Sequence, residues 1–274
     1  MKINSKFNYI IVAIIIGIFI SLVFTVSVTA DVRVEPSRYI IYTRPEARVT
    51  ESVNVTNNSD ETVDLVANFY DWDMNEEYDL ETHDLGTLDS SLDGYFQFNP
   101  RKFSLPPGET QTVRFTIDIP KDEDDEERRE RRGIIFFEHE EDLTEDGEIG
   151  AKLVKQIGTT VYAIPEDLGY TLNILESRVV KNEEGQIFGA FLTENTGKRH
   201  LRFDLDYTLI SKEGKEIEQD KVEEKVLLAN MERGVVFPLD NNLEPGEYQL
   251  KAEFSFPDAE EKLNETVDFN IGDN

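Results

Sequence analysis

The chain has 274 residues, of which 57 are acidic and 28 basic, so its formal net charge at pH 7 is −29. This acidity argues against a nucleic-acid-binding protein, because phosphates require a basic surface. The absence of cysteine excludes disulfides, thiolate-bound zinc, iron–sulfur clusters and cysteine-based catalysis.

The N-terminal segment predicts export from the cytoplasm. Lys2 and Lys6 precede residues 7–30, which carry no charge, and Val28-Thr29-Ala30 offers the small residues that a signal peptidase reads. As a helix, residues 7–30 would span about 36 Å, which exceeds a bilayer core of about 30 Å. Two alternatives stay open: a signal peptide cleaved after Ala30, or a membrane anchor formed by residues 7–30. Both predict an extracytoplasmic protein, in the periplasm or at the cell surface.

Alternation with a period of two dominates the chain after residue 30. In residues 111–119, for example, Val113, Phe115 and Ile117 alternate with polar residues, and Pro-Gly and Pro bound the run. This pattern is typical of half-buried strands. The predicted strands are 32–43, 49–57, 62–72, 95–99, 111–119, 133–139 and 149–164, followed by 170–180, 186–194, 201–210, 215–228, 232–239, 247–256 and 263–271.

Many short strands with regular turns predict an all-β chain with two immunoglobulin-like β-sandwich domains. A Pro-to-Gly hinge at 165–169 divides the chain into residues 31–165 and residues 170–272, after the signal or anchor at residues 1–30. Two segments lack a pattern. Residues 73–93 are predicted as a long loop. Residues 121–132 are predicted as a zwitterionic solvated loop or a short exposed helix, with a partner or cation site as the alternative.

Motifs for catalysis and metal binding are missing or incomplete. Asp71–Asn75 begins like a calcium loop, but Glu76 and Thr82 stand where an EF-hand requires glycine and glutamate. His139 lies between Glu138 and Glu140, which alternation places on the opposite strand face. We therefore expect no metal, no cofactor and no enzymatic activity.

Residues 31–165 resemble the N-terminal domain of PapD-like periplasmic pilus chaperones. The stretches that carry the resemblance are Val34-Glu-Pro-Ser-Arg-Tyr-Ile-Ile41, Ser52-Val-Asn-Val-Thr-Asn-Asn58, the run from Phe98-Asn-Pro-Arg to Phe115, Gly133-Ile-Ile-Phe-Phe137 and Val161-Tyr-Ala-Ile-Pro165. The second half looks like a generic bacterial immunoglobulin-like domain.

The resemblance implies a cleft between two domains, where an arginine and a lysine hold the C-terminal carboxylate of a pilus subunit. Arg38 matches the position of the arginine, whereas Thr160 stands where the lysine is expected. An ordinary ion pair with a surface carboxylate is the alternative for Arg38.

The family also lends alternating apolar side chains from the last strand of its first domain to an incomplete subunit. Ala151, Leu153 and Lys155 occupy the matching positions, and only Leu153 is large and apolar. We expect Gly158 to weaken or bend this strand. The alternative is an internal strand whose edge the second domain covers.

Two functions remain open. One is an exported chaperone-like protein that captures a partner's strand, such as that of a pilus subunit, during assembly of a surface structure. The other is a membrane-tethered structural or adhesive envelope protein without chaperone activity. Neither involves nucleic acid.

Overall fold

The computed structural model describes residues 31–119, 128–142, 152–240, 242–257 and 259–272, of which the side chains of residues 141, 142 and 152 are left undescribed. These residues form β-strands without helices, which confirms the predicted all-β class. In chain order the strands are β1 Val32–Glu35, β2 Arg38–Thr43, β3 Arg48–Asn57, β4 Val63–Met74, β5 Leu80–His83, β6 Phe96–Asn99, β7 Lys102–Leu105, β8 Thr110–Asp118, β9 Arg131–Asp142, β10 Lys152–Pro165, β11 Leu172–Lys181, β12 Ile187–Asn195, β13 Leu201–Ser211, β14 Glu216–Leu227, β15 Glu232–Pro238, β16 Gly246–Ser255 and β17 Lys262–Ile271.

Strands β1–β10 form a first unit of two facing sheets. One sheet has the order β1-β3-β8-β6, and the other has the order β2-β10-β9-β4-β5 with β7 beside β4. The alternating residues of both sheets point inward and bury one apolar core, which includes Val53, Leu65, Phe115, Ile135 and Val161. Burial of this apolar surface is the main stabilising contribution to the unit.

Strands β11–β17 form a second unit with its own core. Its sheets have the orders β11-β12-β15 and β14-β13-β16-β17. Phe191, Phe203, Leu250 and Phe254 are almost fully buried between them. The separate cores support a proposed division of the chain into domains 31–165 and 170–272.

The strand predicted at 32–43 is in fact two strands in two sheets. β1 pairs antiparallel with β3, whereas β2 pairs parallel with β10. Pro36 and Ser37 lie between them. Proline has no backbone N–H to donate to a ladder, so the chain leaves one sheet there and joins the other.

The prediction of a loop at 73–93 is wrong in part. β4 continues to Met74 and pairs with β5. The remaining segment is held by Asp71, a fully buried carboxylate that accepts hydrogen bonds from the backbone N–H groups of Thr87 and Leu88 and from the Ser91 hydroxyl. A buried carboxylate needs such donors. Asp71 therefore holds residues 87–91 in place, although their sequence shows no periodicity.

A third apolar cluster joins the two units. Trp72, Ile134, Tyr162 and Ile164 of the first unit pack with Leu228 of the second. Trp72 therefore serves as a packing residue of strand β4. Within the described ranges, no helix is long and apolar enough to cross a membrane. The predicted signal or anchor at residues 1–30 lies outside these ranges.

Candidate functional site

Strand β10, which contains three of the five candidate residues, has two different halves. Residues 152–163 pair antiparallel with β9. On the opposite edge, residues 160–165 pair with β2, but no described strand pairs with residues 152–159. Among the described strands, β10 is therefore internal in its second half and lies at an edge in its first half.

The direction of the peptide groups identifies the unpaired atoms. The Thr160 N–H donates to the Ser37 carbonyl, 3.1 Å away, on the β2 side. Because peptide groups alternate in direction along a strand, the N–H and C=O groups of Val154, Gln156 and Gly158 point to the same side. No other described residue forms a backbone hydrogen bond with these groups. We call these groups the open edge of β10.

Side chains beside the open edge are apolar and exposed. Leu153 is 40% exposed and Val154 is 48% exposed. Lys155 is tethered, because its ammonium lies 2.7 Å from the Asp31 carboxylate, and this contact lowers the pKa of Asp31. Ala151 lies outside the described residues. An exposed apolar edge is a template for pairing with another chain, and a nearby lysine limits indiscriminate pairing.

Gly158 serves close packing. A Cβ on Gly158 would lie 2.8 Å from the Phe136 ring and 2.9 Å from the Ile135 carbonyl oxygen. The neighbouring strand β9 therefore requires a residue without a side chain here, and β10 continues regularly through this position.

Arg38 and Thr160 lie side by side in the β2–β10 ladder. The Arg38 guanidinium is within 3.4 Å of Glu224, a carboxylate on β14 of the second unit. Arg202 of β13 also donates to the same Glu224 oxygen, at 2.5 Å. Two cations from different units thus share one carboxylate, and Thr160 contributes no charge. We call Arg38, Arg202 and Glu224 the cleft triad.

Arg202 was not predicted as a site residue. Sequence alternation places Phe203 and Leu205 in the core, so it places Arg202 on the outer face of β13. That face meets the first unit, where Arg202 is also 3.4 Å from the Tyr162 hydroxyl. Burial raises the pKa of this hydroxyl, which therefore stays protonated. Only the packing of the two units brings Arg202 to Arg38.

A second polar contact lies at the junction of the units. The Glu130 carboxylate accepts hydrogen bonds from the His200 backbone N–H and ring Nδ1, and both side chains are buried. The His200 ring packs on Tyr162, with 4.3 Å between ring centroids. Glu130 belongs to the predicted zwitterionic loop, whose residues 121–127 lie outside the described ranges.

Metal ligands do not converge in the part of the chain that the structure describes: no three acidic or histidine side chains form a metal-binding group there. Glu138 accepts hydrogen bonds from Asn68, Tyr70 and Gln156. His139 lies across β9 from these groups, with its Nδ1 at 3.0 Å from the Asp64 carbonyl oxygen.

Comparison with known proteins gives matches among solved structures only. No family model and no curated protein matches the chain. A chaperone–tip adhesin complex of CFA/I fimbriae is 16% identical, covering 86% of this chain and 98% of its own, with a TM-score of 0.48. The class 5 fimbriae chaperone CfaA is 16% identical, and the match covers 86% of this chain and 98% of CfaA, with a TM-score of 0.46. A chain of a Salmonella enterica SafA pilin–SafB chaperone complex is 11% identical, and the match covers 87% of this chain and 97% of that chain, with a TM-score of 0.41. All three solved structures contain a chaperone.

Proposed function

We propose that this protein is an exported chaperone-like module that captures a partner's strand during assembly of a pilus or another surface structure. The observation that carries the proposal is the open edge of β10, with Leu153 and Val154 exposed beside it. Strand addition uses the backbone groups of such an edge for affinity and alternate side chains for specificity.

The captured strand would lie along the same edge of β10 as β2 does, directly before it. β2 occupies the edge of β10 from Thr160 onward, so the partner strand would pair with the open edge and end near Ser37 and Arg38. Leu153 and Val154 would then pack against apolar side chains of the partner on the two faces of the enlarged sheet.

The end of the partner strand would meet the cleft triad. Arginine pairs with carboxylates through two parallel hydrogen bonds, and Arg202 would supply the second cation that Thr160 does not provide. In this proposal a terminal carboxylate of the partner displaces Glu224 from Arg38 and Arg202.

The same triad favours a second candidate function, that of a structural or adhesive envelope protein. In that case Glu224 is a permanent partner of both arginines and ties the units together. The two functions differ in whether the open edge binds a strand.

A matched pair of variants tests the proposal. Leu153→Asp places a charge beside the open edge, and Leu175→Asp places the same charge at a leucine of β11 that is 48% exposed. We expect Leu153→Asp to reduce capture of a peptide with the C-terminal sequence of a pilus subunit from the same organism by about tenfold or more, with little change in Tm. The Leu175→Asp variant should capture the same peptide as well as the unmodified chain does. Equal capture by both variants and the unmodified chain would contradict the proposal.

A further inference from the structure

We propose that the recess beside the open edge binds a lysine or arginine side chain of the captured strand. This inference rests on the proposed function and adds the chemical identity of one partner residue. The recess has a volume of about 530 Å³. It lies at one end of the first unit, where the Ser59–Thr62 turn crosses from one sheet to the other.

The position of the recess determines which partner residue reaches it. Lys155 and Ile157 line it from β10, and Ile157 packs against the core on the inward face of that strand. Side chains of paired residues in neighbouring strands lie on the same face of a sheet. A partner residue opposite Lys155–Ile157 would therefore point inward, into the recess.

The recess has an apolar floor. Val63 and Leu65 of β4, Phe137 of β9 and Ile157 form it. Methylene groups gain free energy by covering such a surface. Lys155 and Asp31, which form an ion pair, also line the recess.

Two acidic residues of the turn, Asp60 and Glu61, also line the recess, and we call them its rim. Asp60 and Glu61 are exposed, and the structure gives neither an ion pair with any other described residue. Lysine and arginine combine an apolar stem with a charged head and commonly place the stem on apolar surface. A side chain of this type covers the floor and brings its cation to Asp60 and Glu61, whereas leucine leaves the rim unused and glutamate is repelled.

Three peptides test the inference with the full-length chain in detergent micelles. Each is an alternating valine–threonine strand with one central residue: arginine, norleucine or glutamate. Fluorescence anisotropy gives Kd for each peptide. We expect the arginine peptide to bind about fivefold more tightly than the norleucine peptide, the size of one favourable surface ion pair, and the glutamate peptide to bind most weakly.

Two double variants assign the effect to the rim. Asp60→Asn with Glu61→Gln should remove the preference for arginine and leave binding of the norleucine peptide unchanged. Glu183→Gln with Glu184→Gln removes the same charge from an exposed turn of the second unit and should retain the preference. Equal binding of the arginine and norleucine peptides, or a preference that survives the Asp60/Glu61 variant, would overturn this inference alone. Failure of all three peptides to bind would overturn the proposed function as well.

Discussion

Gly133 and Gly158 show how single residues set the shape of the first unit. A Cβ on Gly133 would lie 2.2 Å from the Phe69 ring, which packs at 3.9 Å between centroids on Phe96. A Cβ on Gly158 would lie 2.8 Å from the Phe136 ring. The sequence pattern predicts that Gly158 weakens its strand, because the approach of an aromatic ring from a neighbouring strand is invisible in the sequence.

Gly133→Ala should therefore destabilise the protein. The added methyl group has no room beside Phe69, and overpacking of this kind costs about 1–3 kcal/mol. Urea unfolding of the variant measures the loss.

Gly234→Ala is the control, since Gly234 also lies in a strand and nothing lies within 4 Å of its added Cβ. Its free energy of unfolding should change by less than about 0.5 kcal/mol. Equal stability of Gly133→Ala and Gly234→Ala would mean that Phe69 moves aside.

At the scale of strands, most elements follow from alternation, and the exceptions have identifiable causes. The ranges of β3, β8, β12 and β13 agree closely with prediction, because buried residues alternate along much of each strand. β5 lies in the segment predicted as a loop, and β7 was not predicted. Sequence analysis names Ala151, Leu153 and Lys155 as candidate residues for pairing with a partner, but a sequence does not show that β2 stops covering β10 at Thr160.

Strand β10 should show an alternating pattern of amide hydrogen exchange. The amides of Leu153, Lys155, Ile157 and Thr159 face β9, whereas those of the open edge face no described strand. We expect slow exchange in the first set and fast exchange at Val154, Gln156 and Gly158, as measured by NMR on the protein without partner. Uniform protection along residues 153–159 would show that another segment already covers this edge.

At the scale of the whole molecule, the two units are joined by apolar and ionic contacts. Trp72, Tyr162 and Ile164 pack with Leu228, and the cleft triad and the Glu130–His200 pair lie in the same junction. The sequence predicts a hinge and a groove near Arg38. It does not reveal the groove's second wall, because Arg202 and Glu224 lie far from Arg38 along the chain.

His200→Ala should loosen this junction. The substitution removes the ring that packs on Tyr162 and leaves the buried Glu130 carboxylate with one hydrogen bond fewer, at a cost of about 1–3 kcal/mol. Scanning calorimetry should show a lower Tm or a transition split into two.

The control is His83→Ala, at a partly exposed histidine of β5 outside the junction. Its transition should be unchanged. A His200→Ala protein that melts like His83→Ala would mean that the pair contributes little to holding the units together.

The most direct measurement of the central claim compares amide exchange with and without a bound client peptide. If a partner strand pairs with β10, the amides of Val154, Gln156 and Gly158 become protected on binding, while those of Leu153, Lys155 and Ile157 change little because β9 already pairs with them. A peptide that binds tightly and leaves Val154, Gln156 and Gly158 exchanging as fast as before would contradict capture at the open edge.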